Sequence, residues 1–369
     1  MAIWVKYFAL KHKVLIFSEK EDYLGDSPVD DDVTIIESEG YLGGALNRLR
    51  VKSHSMFHIN KLISVRRYAR EIENVVAESH IDIIHAYSLY SGYVASFINV
   101  DVPIIFTPLG SSLIIHAQNN LLYKLMAKRA FSHADIVTND SLILQTKGYN
   151  LGADRQHNYI VQNGVDSRVF YPKANGIKAT YGIKQSDTLI FSPRGLDDLY
   201  NIDVILASLQ IIKKQGLSFK CMFSFAFGES SLEKLKILAH KLDVEDDVIW
   251  LGCLTYDEMA VHYNAADIVV SVPSSDSSPK SVYEAMFCKK PIVVTNLKWS
   301  HEILHDCILR VEVRSATQLA SAIQYLVNNP ESARKLSSNA LKCAKSHFDY
   351  VNNMAEMEKI MIGALNHSI

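Results

Sequence analysis

A serine-rich loop between two apolar segments is the part of the sequence best suited to chemistry. Residues 269–294 read VVSVPSSDSSPKSVYEAMFCKKPIVV: an apolar run ends at Val272 and another begins at Pro291. Pro279 suits the first position of a helix, and Ser278 suits the capping position before it. A helix that starts here would present free N–H groups and the positive end of its dipole, which together can hold a phosphate.

Two acidic residues, Asp276 and Glu284, flank this loop. Acids beside a phosphate are electrostatically unfavourable unless they bind hydroxyl groups, so they indicate a ligand that contains a sugar or a ribose. The loop also follows a predicted parallel strand, which is where open α/β sheets bind ligands. An ordinary helix-capping loop with a glutamate in the first turn would contain the same residues, and this segment alone leaves both interpretations open.

A second polar loop follows the apolar run Thr188–Ser192. Arg194 and Gly195 open this loop, and a helix is expected to begin near Asn201. Because a guanidinium group can bind two diphosphate oxygens at once, Arg194 is a candidate phosphate ligand. The alternative is a surface arginine on a strand-to-helix loop.

Alternating strand-like and helical patterns position these loops. Helical periodicity is present, for example, in Lys61–Ala77 and Leu121–Ser132. The alternation of strand and helix predicts parallel sheets with right-handed crossovers, and therefore an α/β fold. The predicted strands are Val14–Phe17, Val33–Ile36, Ile81–His85, Val102–Phe106, Ala134–Thr138, Tyr159–Gln162, Thr188–Ser192, Phe219–Ala226, Val248–Leu251, Ala266–Val272, Pro291–Thr295 and Ile308–Val313.

The length of 369 residues predicts two domains. Asn163-Gly164 reads as a turn and is the expected boundary, so that residues 1–162 form one Rossmann-like domain and 163–349 a second. The stretch Thr317–Ala364 is expected to be helical, with one break at Asn329-Pro330.

Composition narrows the class of protein. The net charge of −2 provides no overall attraction to nucleic acid or anionic lipid. The five cysteines are odd in number and form no CxxC pair, which argues against a disulfide framework or a zinc site and for the cytoplasm. Lys6, Lys11 and Lys13 interrupt the apolar start, so no signal peptide is expected. No run approaches the ~18 apolar residues of a membrane span.

Residues 48–70 are a candidate membrane-contact segment. They include Arg48, Arg50, Lys52, Lys61, Arg66, Arg67 and Arg70, interleaved with Met56, Phe57, Ile59, Leu62, Ile63 and Val65, and residues 41–70 contain no acid. Such a segment can dock on anionic lipid at the inner face of a membrane. A solvated helix face packed on the sheet is the equal alternative.

Several further segments, in this order, resemble a known family. In the second half, the family's motifs are matched by Val161-Gln-Asn-Gly-Val-Asp166 with Phe170 and Pro172, by the Ser192–Ile205 loop and helix, by Val248–Gly252 through Tyr263–Asp267, and by Pro273–Val294. Near the N-terminal strand ends, they are matched by Ile81–His85, Thr107–Ser111 and Ala134–Ser141. The set resembles the group 1 retaining glycosyltransferases (family 4), which have the GT-B fold of two Rossmann-like domains facing a cleft. The resemblance covers nearly the whole chain.

The resemblance implies a role for each matching residue. Arg194, Gly195 and the backbone at Ser277, Ser278 and Ser281 would hold the donor diphosphate, and Asp276 would face the donor sugar. Glu284 would bind the ribose hydroxyls, and the backbone at Cys253 and Leu254 would face the nucleobase. Asn163 and Gly164 would form the hinge, and the segment 350–369 would pack back on the first domain. No metal or cofactor is implied; a UDP- or GDP-linked sugar is the substrate.

The same resemblance implies a reaction and a setting. It implies transfer of the sugar with retention of anomeric configuration to a glycan or lipid-linked acceptor, as in bacterial surface polysaccharide or lipopolysaccharide synthesis, with no nucleic-acid partner.

The chain departs from the family pattern at several positions. Tyr200-Asn201 stands where Lys-Gly is expected, Asp276 replaces a glutamate, Leu109 replaces a frequent histidine and Ser112 a common aspartate. The family's first strand and Gly-rich loop have no counterpart before Ile3, so we expect a truncated N-terminal domain with impaired activity. His85 and His116 are nearest the expected cleft, although a structural role is favoured for both.

Two other functions remain open at this point. One is a catalytically inactive GT-B partner or scaffold, which the departures favour and the intact Arg194, Asp276 and Glu284 oppose. The other is a different GT-B enzyme, such as a sugar-nucleotide epimerase, which the hinge motif and the Pro273–Val294 block fit poorly.

Overall fold

The chain divides into two compact units. The computed structural model describes residues 2–19, 33–38, 54–110, 113 and 120–366. Unit 1 comprises Met1–Val161 and Met354–Ile369, and unit 2 comprises Gln162–Asn353. The chain therefore passes from unit 1 to unit 2 after Val161 and returns to unit 1 within its last helix, which runs from Tyr350 to Asn366.

In the described part of unit 1, parallel strands form two separate sheets. One sheet pairs β1 with β2, and the other has the order β3-β4-β5-β6. The strands are β1 (Val14–Glu19), β2 (Val33–Ser38), β3 (Ile84–Tyr87), β4 (Ile104–Thr107), β5 (Ile136–Asn139) and β6 (Asn158–Ile160). The helices before Val161 are α1 (Ala2–Ala9), α2 (His54–Ser79), α3 (Leu89–Ala95), α4 (Leu121–His133) and α5 (Leu142–Asn150).

Close packing around Phe106 holds the larger sheet of unit 1 against its helices. Phe106 on β4 is fully buried, and its ring meets that of Phe131 on α4 edge to face, 5.0 Å between centroids. Gly92 on α3 lies against the same ring, because a Cβ there would come within 2.4 Å of it. A glycine at this position therefore allows α3 to approach the sheet.

Part of the basic segment 48–70 packs into unit 1. Val65 and Tyr68 on α2 are buried and cluster with Val94, whereas Arg66, Arg67 and Arg70 are exposed. Arg67 pairs with Glu71 at 2.7 Å. Val65 is thus a core residue and is unavailable to lipid. The backbone of the other apolar residues predicted to contact lipid lies in α2, and their side chains lie outside what the structure describes. Within the described ranges, no helix is long and apolar enough to cross a membrane.

Unit 2 contains one six-stranded parallel sheet in the order β12-β11-β10-β7-β8-β9. Its strands are β7 (Thr188–Ser192), β8 (Phe219–Ser224), β9 (Val248–Gly252), β10 (Ile268–Ser271), β11 (Ile292–Thr295) and β12 (Leu309–Val311). Its helices are α6 (Ile177–Thr180), α7 (Ile202–Lys214), α8 (Leu232–Lys241), α9 (Tyr256–Ala265), α10 (Lys280–Phe287), α11 (Ala316–Asn328) and α12 (Pro330–His347); α13 (Tyr350–Asn366) begins here and ends in unit 1. Four short 3-10 helices lie at Asp198–Tyr200, Glu229–Ser231, Glu245–Asp247 and Lys298–His301.

The central strands of this sheet are buried on both faces. Every residue of β10 and β11 is buried, and the helices α7 and α11 cover one face through Leu206, Leu209 and Leu319. Continuous apolar strands of this kind are typical of parallel sheets with helices on both sides. The predicted α/β fold with parallel sheets is confirmed, and every predicted strand overlaps an observed one.

The helical C-terminal stretch contains two breaks where one was predicted. The first, at Asn329-Pro330, separates α11 from α12 as expected. The second separates α12 from α13 at Phe348-Asp349. There the carbonyl of Phe348 accepts a bond from the N–H of Val165, and the N–H of Tyr350 donates to the carbonyl of Val165. These hydrogen bonds to Val165, a residue distant in sequence, end the helix. The hydrophobic periodicity of the sequence does not reveal a long-range contact of this kind.

Within unit 1, an ion cluster joins α13 to the N-terminal residues. The Glu358 carboxylate accepts bonds from Tyr7 Oη at 3.0 Å and Lys11 Nζ at 2.6 Å, and lies 2.8 Å from His12 Nε2. These hydrogen bonds, first that of Lys11 and then that of His12, lower the pKa of Glu358 to about 2. The carboxylate is therefore stabilised in its charged form.

We expect Glu358→Gln to destabilise unit 1 by only about 1 kcal/mol, because the two basic partners, Lys11 and His12, are 47% and 45% exposed. A loss of that size corresponds to a fall in Tm of about 2–4 °C for a unit of this length. Since the folded pKa lies near 2 and the ordinary value is 4.5, the contribution is present above about pH 4.5 and is lost as the pH falls towards 2.

Calorimetric melting at pH 7 and at low pH measures this contribution. Glu356→Gln is the matched control, since Glu356 is on the same helix and, among the described residues, pairs only with Lys359, at 3.4 Å in an exposed position. Equal melting temperatures for the Glu358 and Glu356 variants at pH 7 would contradict the assignment.

Candidate functional site

The two predicted loops meet at one edge of the sheet of unit 2. Strand β10 pairs in parallel with β7, with Val269 opposite Phe191. The loop that contains Arg194 follows β7, and the loop that contains Asp276 follows β10. Because the carboxyl ends of adjacent parallel strands lie side by side, residues more than eighty positions apart in sequence come into contact.

Arg194 is the centre of this contact. Its Nη2 donates to Asp276 Oδ2 at 2.8 Å, and its Nη1 donates to Ser281 Oγ at 2.9 Å. The two charged side chains are only 13% and 15% exposed. The guanidinium carbon lies 4.7 Å from the centre of the Tyr200 ring, a cation–π contact. The guanidinium group is therefore held in place by three different residues.

Gly195 and Gly228 allow the Arg194 loop to pack closely. A Cβ on Gly195 would lie 2.0 Å from the Phe227 ring. Gly228 has φ +81°, and a Cβ there would meet the backbone of Leu196 and Asp197 within 2.9 Å. Larger residues at either glycine would push the loop away from the strand end.

Tyr200 and Asn201, which depart from the family pattern, have clear structural roles. Asn201 is fully buried in the left-handed conformation, φ 53°, which asparagine tolerates better than most residues. Its amide donates to Val272 O and Ser274 Oγ, both at 2.9 Å, and its carbonyl oxygen accepts from Arg314 at 2.8 Å. Asn201 therefore ties together the loops that follow β7 and β10.

The start of α10 differs from the prediction. Pro279, with φ −76° and ψ 100°, occupies the capping position, and no side chain caps the helix. The prediction that Ser278 is the N-cap is wrong: its hydroxyl donates to Gln162 Oε1 at 2.7 Å and lies 3.2 Å from Tyr283 Oη. Tertiary partners take the hydroxyl away from the helix, which leaves the first N–H groups of α10 without a side-chain partner.

Glu284 lies one turn into α10 and is 7% exposed. Tyr263 Oη lies 2.9 Å from both Glu284 Oε2 and Ser281 O and shares its one proton between these two acceptors, and Lys280 Nζ lies 3.8 Å from Glu284 Oε1. Burial raises the pKa of Glu284, while the Lys280 charge and the Tyr263 hydrogen bond act in the opposite direction. Burial also raises the pKa of Tyr263, so this phenol stays a neutral donor.

The sequence interpretation missed the three tyrosines of this region. Tyr200 supports Arg194, Tyr263 supports Glu284, and the Tyr256 ring lies 4.7 Å from Lys280 Nζ. Aromatic residues at helical spacing resemble core residues. Tyr200 stood out only as a departure from the family pattern and Tyr263 only as part of a quoted motif, and the sequence predicted a supporting role for neither.

The other predicted residues lie in unit 2 but outside the Arg194 contact. Exposed Cys253 and partly buried Leu254 follow β9, two strands from β7 on the same edge. Ser277 is 7% exposed, and its N–H donates to Asp276 Oδ1 at 2.9 Å. Gly164 has φ +73°, and a Cβ there would lie 2.6 Å from Tyr350 Cα, so a glycine is required beside the segment that begins α13; its neighbour is Asn163.

In unit 1, His85 belongs to a row of polar side chains across three strands. His85 Nε2 lies 2.7 Å from Thr107 Oγ1, which lies 2.5 Å from Thr138 Oγ1. Trp4 and Tyr87 pack against the imidazole at 5.1 Å and 6.1 Å between ring centroids. Burial lowers the pKa of His85 to about 4, so the ring is neutral at neutral pH and suits a structural role. His116 lies outside the described residues.

Known proteins resemble this chain in sequence and in structure. A family model described as glycosyl transferases group 1 matches residues 175–342. A Bacillus subtilis protein named glycosyltransferase EpsD is 23% identical over 308 residues, 79% of each chain. Sucrose-phosphate synthase from Thermosynechococcus elongatus superposes with TM-score 0.80 at 17% identity, covering 97% of this chain and 90% of that one.

Anabaena HepE in complex with UDP-glucose also superposes, with TM-score 0.74 at 16% identity, covering 95% of this chain and 99% of that one. At these identities the likeness to solved structures is evidence of fold alone. The matched segment 175–342 contains Arg194, Asp276 and Glu284, so the family match and the site geometry concern the same residues. The match to the group 1 glycosyl transferases thus extends over residues 175–342, and the solved structures share the fold of nearly the whole chain.

Proposed function

We propose that the chain transfers a sugar from a UDP- or GDP-linked donor to a glycan or lipid-linked acceptor, with retention of anomeric configuration. Unit 2 is the donor domain in this proposal. The observation that supports it most is the position of Arg194, which contacts Asp276 and Ser281 beside the uncapped start of α10. HepE, which shares the fold, binds UDP-glucose.

Positive charge for a diphosphate comes from two sources. Arg194 provides a guanidinium group that fits two phosphate oxygens, and the first turn of α10 provides N–H groups and the positive end of a helix dipole. Once the donor is bound, both are in place, so little further reorganisation is needed as negative charge develops on the leaving diphosphate. This arrangement favours departure of the nucleotide.

Binding of the donor exchanges the partners of Arg194. The guanidinium group bonds Asp276 and Ser281 in the structure. A diphosphate competes with Asp276 for the same N–H groups, and the displaced carboxylate then accepts hydroxyl bonds from the donor sugar. The bond between the anomeric carbon and the diphosphate oxygen breaks through an oxocarbenium-like transition state. The acceptor hydroxyl attacks on the same face and passes its proton to the departing diphosphate, which gives retention.

Glu284 is proposed to bind the ribose. Its Oε2 is occupied by Tyr263, while Oε1 is 3.8 Å from Lys280 and is available to a hydroxyl. Tyr263 is itself fully buried and holds the carboxylate in one orientation. The backbone at Cys253 and Leu254, on the same edge of the sheet, is proposed to face the nucleobase.

A role in surface polysaccharide synthesis, with unit 1 on the acceptor side, accompanies this proposal. The exposed Arg66 and Arg70 on α2 support a weak contact with anionic lipid. The burial of Val65 argues against insertion of this part of the helix. An inactive scaffold is the alternative, and it requires that the chain transfers no sugar, whether or not the Arg194 contact binds a nucleotide.

The first prediction for the site compares the nucleotide affinity of two variants on α10, Glu284→Ala and Lys280→Ala. Glu284→Ala should weaken binding of UDP or GDP at least about tenfold, because hydrogen bonds to a charged group contribute about 1.5–3 kcal/mol each. Lys280→Ala should have a smaller effect, since Lys280 lies over Tyr256 and is 41% exposed. Titration calorimetry with both nucleotides measures the difference.

Glu284→Gln is a second variant for this test, because it keeps an acceptor for Tyr263 while removing the charge. Melting curves establish that each variant is folded. Equal losses for the Glu284 and Lys280 variants, or no loss for Glu284→Ala, would remove Glu284 from the nucleotide site.

The second site prediction separates binding from transfer at Asp276. Asp276→Asn should keep nucleotide affinity within about threefold or increase it, because it removes the charged competitor for Arg194. The same variant should lose about a hundredfold or more of transfer, because the carboxylate that faces the donor sugar is gone. Donor consumption and nucleotide titration are measured on one preparation.

Asp198→Asn is the matched control, since Asp198 is an exposed acid in the same region of unit 2. It should leave both measurements unchanged. Nucleotide binding by the wild-type chain with no turnover of any UDP- or GDP-linked sugar would support the inactive scaffold instead.

A further inference from the structure

A cavity of about 530 Å³ lies at the opposite edge of the unit 2 sheet. Its lining includes Thr188, Ile268 and Pro291, at the amino ends of β7, β10 and β11. The Arg194 contact lies at the carboxyl ends of these strands. Strands of four to five residues at ~3.3 Å per residue put about 15 Å between the two edges, so the cavity is a separate site.

Basic side chains outnumber acids in this cavity. Lys178, Lys289, Lys290 and Arg334 line it, together with Asp187 and Asp267. The four cations and two carboxylates leave a surplus of two positive charges. Such a surplus attracts anions, and the lining charge matches a dianion.

Two of these cations are held inside the cavity by protein partners. Lys178 Nζ donates to Asp267 Oδ2 at 2.7 Å, and Lys290 Nζ donates to Asn264 O at 2.8 Å. Burial lowers the pKa of Lys290. Among the described residues Lys290 forms no ion pair within 4.0 Å, and the charge of Asp267 only partly offsets the effect of burial. An anion in the cavity would therefore stabilise its charged form.

The other two cations lie at the mouth of the cavity. Lys289 and Arg334 are exposed, and neither forms an ion pair with any residue that the structure describes. Lys289 has φ 55°, fixed by the turn between α10 and β11. Their ammonium and guanidinium groups are thus free to bind a ligand.

The size, charge and lining of the cavity favour a small organic phosphate. Its volume lies within the range of about 300–1,000 Å³ that is typical of small-molecule sites. A phosphate monoester carries about −1.5 to −2 charges at neutral pH, which balances the surplus of the lining. The apolar wall formed by Leu326 and Val327 gives the organic part of such a ligand a surface to contact.

We propose that this cavity binds a small phosphate-bearing anion, with Lys290 and Arg334 as its main ligands and Lys289 as a further cation. The site is independent of the proposed donor site, because it shares no residue with it and lies on the opposite edge of the sheet.

The test uses the full chain with Arg194→Ala, so that the proposed donor site cannot account for phosphate binding. Titration calorimetry with glycerol 3-phosphate and with inorganic phosphate should give saturable one-to-one binding below about 10 mM. Tighter binding of glycerol 3-phosphate would identify the ligand as an organic ester, and tighter binding of inorganic phosphate would identify it as the free ion.

In the same background, Lys289→Asn combined with Arg334→Gln should weaken binding at least about tenfold. Asn suits the positive φ at position 289, and both positions are exposed, so melting should be unchanged. Lys335→Gln, an exposed neighbour outside the cavity, is the control and should bind as the parent does. An absence of saturable binding, or equal affinity in all three chains, would overturn the proposal.

Discussion

The pairing of β10 with β7 is the constraint on which the candidate site depends. It brings the loop after each strand to the same edge of the sheet, and Arg194 then reaches Asp276 across the two loops. The ion pair is largely shielded from water, and a shielded pair of charges persists only when further hydrogen bonds satisfy it. Ser281 and the Tyr200 ring supply those contacts for Arg194. The strands therefore decide which residues can meet, and the supporting side chains decide their geometry.

The proposed donor site needs positive charge in a place that also tolerates acids. The structure achieves this by giving each acid a partner: Asp276 has Arg194, and Glu284 has Tyr263 with Lys280 nearby. Burial raises the pKa of Glu284, and these partners counteract that effect. This balance keeps carboxylate acceptors beside the start of α10, where phosphate binding is proposed. In the proposed mechanism the arrival of the donor changes these pairings without moving the strands.

The departures from the family pattern are absorbed by packing. Asn201 supports a left-handed backbone and bonds both loops, while Tyr200 lies beneath the Arg194 guanidinium group. These two residues thus stabilise the site in place of the expected Lys-Gly pair. Their roles weaken the argument from sequence that the departures indicate an inactive protein, although the activity itself stays a proposal.

Local patterns in the sequence determined the strands, the α/β class and the loops that contain Arg194 and Asp276, because apolar runs and loop residues act over a few positions. Only the tertiary structure decided that Ser278 bonds Gln162 instead of capping α10, that a second break ends α12, and that Tyr263 supports Glu284. Each of these outcomes depends on a partner far away in sequence. A hydroxyl, a carbonyl or a carboxylate takes the partner that the folded chain places within hydrogen-bonding distance, and neighbouring residues alone do not specify that partner.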